Sequence, residues 1–215
     1  MNCTFYKKSL NSFYTQKTTF SLMMKPEIRI IGIDDGPFTK KDKKTIVVGV
    51  ICRGGFCLDG LLRTYVDVDG MDATDKLIEM INNSRHKPQL KVIMIDGITL
   101  GGFNLVDIHK LNKKTDLPVV VINRKKPDLK AIKQALVKHF DDWDVRWKII
   151  KKTGKVKKIK INQKFTVYYQ FAGLSEEEVQ EIILISTTRA QIPEPVRIAH
   201  IIASGIIKGE SEGGA

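Results

Sequence analysis

Four short apolar runs do most to limit what this chain can fold into. The first, Glu27 to Asp34 (EIRIIGID), begins in alternation and ends continuously apolar. Thr45 to Cys52 (TIVVGVIC), Leu90 to Asp96 (LKVIMID) and Val119 to Ile122 (VVVI) are dense in β-branched residues. Runs this brief, without a polar partner at every second position, read as strands buried on both faces of a sheet. Gly54-Gly55 marks a hairpin after the second run, so a third strand follows over 56–68. These three strands predict an antiparallel meander.

From Asp72 the pattern turns helical, with Leu77, Met80 and Ile81 on one stripe and Asp72 or Thr74 as a candidate N-cap. A short helix is expected over 106–111 and another over 128–140, so the strands at 90–96 and 119–122 each lead into a helix. Strands that alternate with helices pair in parallel. The expected fold is therefore α/β: a five-stranded mixed sheet, an antiparallel meander plus two βα units, with helices on both faces. Two more helices close the chain, one at 175–185 opened by the capping box Ser175-x-x-Glu178, and one at 195–207 carrying His200.

The expected organisation is a disordered extension over 1–23, which has no Asp or Glu, then one domain over 24–208 and a flexible tail over 209–215. No apolar run approaches the ~20 residues that cross a bilayer, so no membrane partner is expected. Cys3, Cys52 and Cys57 cannot build a disulfide framework and read as reduced thiols, which points to the cytoplasm. The formal net charge of +12 favours a polyanionic partner such as DNA or RNA.

Ligands of open α/β sheets bind beyond the carboxyl ends of the strands. Asp34 and Asp96 end two of the strands, each after an Ile and close to a Gly. Either alone reads as an Asp-Gly turn residue; two on one sheet edge point to a divalent cation, which relieves the repulsion between them. Asp72 is open between a third place in that cluster and an N-cap. The loop 97–104 (GITLGGFN) could cradle a phosphate through backbone N–H groups, the one feature that suits a small-molecule phosphohydrolase. Arg124, Lys125 and Lys126 follow the last buried strand and put positive charge at the same edge. A further basic run, from Arg146 through Lys151, Lys152, Lys155, Lys157 and Lys158 to Lys164, surrounds Thr153-Gly154 with no acid. It reads as a hairpin whose lysines either protect a sheet edge or track phosphates.

The segments GIDDGPF (32–38), DGMDATD (69–75), DGITLGGFN (96–104), LPVVVINRKKPD (117–128) and IPEPVRIAH (192–200) together resemble the UPF0215 (DUF99) family, a largely archaeal group related to endonuclease V. The resemblance spans about 26–208. It implies a ribonuclease H-like fold and a nuclease-like protein acting on nucleic acid phosphodiesters with Mg²⁺ or Mn²⁺. It implies that Asp34 and Asp96 hold the ion with Asp72 as the nearest third acid, and that His200 is a peripheral site residue. The endonuclease V glutamate before the first helix, its Tyr-x-Pro-Gly wedge and its His-Pro-Arg segment have no match here, so inosine specificity is not implied. These departures fit the alternative, a catalytically inactive DNA- or RNA-binding module of the same fold.

Overall fold

The computed structural model describes residues 25–211; the extension expected over 1–23 and the end of the tail lie outside them. The strands β1 (Arg29–Asp35), β2 (Lys44–Arg53) and β3 (Cys57–Asp67) form the antiparallel meander. Helix α1 (Ala73–Asn82) leads to β4 (Val92–Asp96), then a small hairpin of β5 (Thr99–Leu100) and β6 (Asn104–Leu105). Helix α2 (Ile108–Thr115) and β7 (Val119–Asn123) follow, then α3 (Leu129–His139) and α4 (Trp143–Lys152). The chain closes through β8 (Lys157–Lys160), β9 (Thr166–Ala172), α5 (Glu176–Ser186) and α6 (Glu194–Lys208).

The main sheet has seven strands, in the order β3-β2-β1-β4-β7-β9-β8, where five were expected. The difference arises in the basic segment. Residues 143–152 form α4, Thr153 caps that helix, and the hairpin turn falls between β8 and β9. β9 then pairs antiparallel with β7 and carries the sheet two strands further. Tyr169 explains why it docks: this large ring is fully buried among Val120, Ile122 and the apolar side of α5. The five expected strands are otherwise present with the expected directions, β1 parallel to β4 and β4 parallel to β7.

Strand alternation sorts the core into two layers. Ile31, Ile33, Ile93, Ile95, Val119 and Val121 face α1 and α2. Ile30, Val92, Met94, Val120 and Ile122 face α5 and the start of α6. Each fully buried branched side chain contributes about 1.5–3 kcal/mol, so the central strands are the stable frame on which the loops are carried.

Helix α6 crosses β1 and β2 unusually closely. Its small residues Ala199 and Ala203 lie on Ile46, Val48, Val50 and Cys52. At its start, a Cβ on Gly32 of β1 would stand 2.1 Å from the Pro195 carbonyl carbon, so only glycine admits this approach. The close seat of α6 is what brings its later turns over the end of β1. Gly32→Ala should therefore cost about 3 kcal/mol or more of stability, as overpacking against backbone does. Urea unfolding monitored by circular dichroism measures it, and a variant as stable as the parent would refute the close contact.

Candidate metal centre

The parallel register of β1 and β4 aligns Ile30 with Val92 and Ile33 with Ile95. One step further along both strands come Asp34 and Asp96, side by side. Both fall on the face of Ile30 and Gly32, over which α6 runs, and His200 of α6 meets them there. One carboxylate oxygen from each Asp and one ring nitrogen of His200 all lie within 4.8 Å of one another. His200 Nδ1 is 2.8 Å from Asp34 Oδ2, and the Asp35 backbone N–H donates to Asp34 Oδ1 at 2.9 Å. Gly97, at φ 77°, lets the chain turn directly after Asp96.

Asp34 is only 5% exposed. Burial, with the charges of Asp96 and Asp35 added, pushes its carboxyl up to about 7 against the downward pull of the His200 hydrogen bond. Asp35 points to the opposite face, as alternation requires, and its Oδ2 accepts from the Gly101 N–H at 2.6 Å. Burial raises its carboxyl too, while the Gly101 bond lowers it. Arg124 Nη1 donates to Asp96 Oδ2 at 2.7 Å, and Nη2 of the same guanidinium is buried without an acceptor.

These groups line a cavity of about 480 Å³, together with Phe38, Thr99, Ser204 and Lys208. Ser204 and Lys208 stand four and eight residues after His200, one face of α6. The resemblance marked His200 on this face, and the seat of α6 over β1 brings Ser204 and Lys208 to the same cavity.

Asp72 is not brought to the cluster. Its Oδ1 accepts from the Asp67 N–H at 3.1 Å and from Asn104 Nδ2 at 2.6 Å, and its side chain makes no capping bond. Asn104, fully buried, supplies the helix start in its place by accepting from the Ala73 N–H at 2.9 Å. Asp72 thus ties the β3–α1 turn to the β5–β6 hairpin. The glycine-rich loop is that hairpin, and two of its amides are already engaged: Gly101 with Asp35 and Phe103 with Asp69 Oδ1 at 2.8 Å. Those two amides are not available to a phosphate, so the loop gives the phosphohydrolase reading less support than its glycines suggested.

The basic residues divide. Lys125 and Lys126 are exposed beside Arg124. Arg146 is buried in α4; it donates to the carbonyls of Asp69, Gly70 and Phe103 and stacks over Phe140 at 4.3 Å. It is a clamp on the hairpin and no part of a phosphate-tracking surface. Lys152 pairs with Asp107 at 2.8 Å and Lys157 pairs with Glu176. Lys151, Lys155 and Lys158 are exposed, and none of these five lysines lines the cavity. β8 lies three strands from β4, roughly 14 Å away at the usual strand spacing. Among the described residues Cys52 and Cys57 are free thiols, and no helix is long and apolar enough to cross a membrane.

Residues 26–207 match the family described as endonuclease dU. A UPF0215 protein of Methanothermobacter thermautotrophicus is 50% identical over 207 residues, covering 96% of this chain and all of the relative. The crystal structure of an Archaeoglobus fulgidus protein superposes with a TM-score of 0.76 at 42% identity, covering 85% of this chain and 99% of that one. Endonuclease V of Ciona intestinalis, in complex with a 24mer DNA containing inosine, gives a TM-score of 0.56 at 11% identity over 85% of this chain and 87% of that one. At that identity the likeness is one of fold, and the fold is that of endonuclease V.

The raised Asp34 carboxyl has a consequence for stability. The folded chain keeps a proton that the unfolded chain, with an ordinary carboxyl near 3.8, gives up. The contribution of Asp34 to metal-free stability is therefore full below about pH 4, falls as pH rises towards 7, and is lost above that. Asp34→Asn removes the ionisation and should make the chelated protein more stable at pH 8, by on the order of 2–4 kcal/mol. Denaturant melts of the parent and of Asp34→Asn at pH 4, 6 and 8 in chelator test this; an advantage of the variant that does not grow with pH refutes it.

Proposed function

We propose that this chain, which belongs to the endonuclease dU family, cuts nucleic acid phosphodiesters with Mg²⁺ or Mn²⁺ held by Asp34 and Asp96. The observation that carries this reading is the convergence of two carboxylates and an imidazole within 4.8 Å at the end of the central strands. The donors suit such an ion: two hard oxygens brought side by side, with His200 able to serve as a nitrogen ligand or to orient Asp34. The strained ionisation of Asp34 fits as well, because a buried carboxylate next to other acids is relieved by a bound cation. When bound, the ion would lower the pKa of water and stabilise charge on a phosphodiester oxygen.

The protein groups have separable tasks. His200 Nδ1, 2.8 Å from Asp34 Oδ2, fixes the orientation of that carboxyl. Arg124 holds Asp96 and sets positive charge at the cavity wall, where a phosphate would lie; Lys208 adds a second cation from α6. Lys125 and Lys126 extend that charge outward along the strand end. Asp72 acts at a distance in this scheme, through the turn it ties.

The family description makes deoxyuridine in DNA the first substrate to try, and the inosine-containing DNA held by the Ciona protein makes inosine the second. A panel of single- and double-stranded DNA and RNA, with and without these bases, is incubated with Mn²⁺ or Mg²⁺. Metal-dependent nicking is expected, lost by more than roughly 100-fold in Asp34→Ala and Asp96→Ala and reduced about 10–100-fold in His200→Ala. No cleavage of any substrate, with no rise in melting temperature on adding either ion, would sink the proposal.

One observation favours a second reading. Arg124 already neutralises Asp96 at 2.7 Å, as it would in a chain that binds nucleic acid without cutting it. That binding module predicts salt-sensitive DNA or RNA binding indifferent to chelator and to Asp34→Ala.

A further inference from the structure

The loop between β1 and β2 reads GPFTKKDK over residues 36–43, and its first residues line the cavity. Its base is fixed: the Gly36 N–H donates to the Ile46 carbonyl at 2.8 Å, and Thr45 Oγ1 donates to the Gly36 carbonyl at 2.9 Å. Its tip is closed by Asp42, whose Oδ2 accepts from both the N–H and the hydroxyl of Thr39. Lys40, Lys41 and Lys43 are exposed around that turn, and Asp42 is the one acid among them.

Phe38 is the unusual member. It is 38% exposed, yet it lines the same cavity as Asp34, Asp96, Arg124 and His200. A Cβ on Gly102 would stand 3.5 Å from its Cζ, so the ring rests over the tip of the β5–β6 hairpin. That hairpin is itself held to Asp35 and clamped by Arg146. An aromatic ring left partly in water on a rigid support, among carboxylates and cations, contributes little to the core. It offers a flat apolar face next to the place where a phosphate would bind.

We propose that this loop reads unpaired DNA: Phe38 stacks on a base next to the phosphate at the Asp34–Asp96 site, while Lys40, Lys41 and Lys43 follow the backbone. The inference rests on the nuclease reading for what happens at that phosphate. Bases in a duplex are covered on both faces by their neighbours, so a ring at the site stacks at least cost on a nucleotide that is single-stranded or turned out of the helix, whereas wedging between paired steps costs unstacking. The substrate class is thus single-stranded DNA, or duplex DNA with a locally unpaired nucleotide.

Binding is measured by fluorescence anisotropy in EDTA, with a labelled single strand and its matching duplex, so that no step depends on cleavage. The parent protein should prefer the single strand. Phe38→Ala should weaken single-strand binding about ten-fold or more, whereas Phe38→Trp should keep it. Replacing Lys40, Lys41 and Lys43 together by Ala should flatten the salt dependence, and replacing Lys151, Lys155 and Lys158 should flatten it less. The proposal fails if Phe38→Ala binds within about two-fold of the parent, or if Phe38→Trp loses as much as Phe38→Ala. It also fails if the loss is equal on duplex and single strand. Unchanged Phe38→Ala binding beside metal-dependent cleavage overturns the reader alone. Phe38-dependent binding without any cleavage overturns the nuclease and leaves the stacking contact standing.

Discussion

The parallel pairing of β1 with β4 is the constraint on which the rest of the site depends. Two strands from opposite ends of the first half of the chain run in the same direction and in a register that sets Asp34 level with Asp96. A slip of one residue would send one carboxylate to the other face, because side chains alternate along a strand. The register is held by the apolar residues behind the pair, Ile31 and Ile33 against Ile93 and Ile95, all fully buried. The stability of the core is thus what brings two like charges together.

Bringing them together carries a cost that the surrounding structure only partly offsets. Burial raises the Asp34 carboxyl, and the neighbouring acids push in the same direction. His200, Arg124 and the amides of Asp35 and Gly101 answer with hydrogen bonds. Each comes from a different element, and the helix that supplies His200 reaches the strand end only because Gly32 lets Pro195 touch the sheet. Sites that hold a destabilising charge arrangement in a stable frame are common where function has been selected over stability.

Positive charge, so prominent in the composition, turns out to be distributed among several tasks. Arg146 is structural, a buried clamp on the turn before α1 and on the β5–β6 hairpin. Lys152 and Lys157 are paired with acids, whereas Lys125, Lys126 and the lysines of the β1–β2 loop are exposed. Counting basic residues in a segment could not separate these classes. Arg146 differs from its neighbours only in facing Phe140 and three carbonyls, and that is a property of how α4 packs.

Much of the frame was legible beforehand. Continuous apolar runs identified the central strands, the Gly54-Gly55 hairpin and the βα alternation set their directions, and two aspartates at strand ends marked the edge where ligands bind. Such features are local: burial on both faces needs an unbroken apolar run, and a turn needs its glycine. Tertiary structure alone decided the rest. It joined His200 to Asp34 across 166 positions of sequence, kept Asp72 away, and paired Arg124 with Asp96. It also docked β9 on β7 and rested Phe38 on Gly102. These are long-range contacts set by how closely helices seat on the sheet and which loop carbonyls need donors, and no spacing rule within the sequence encodes them.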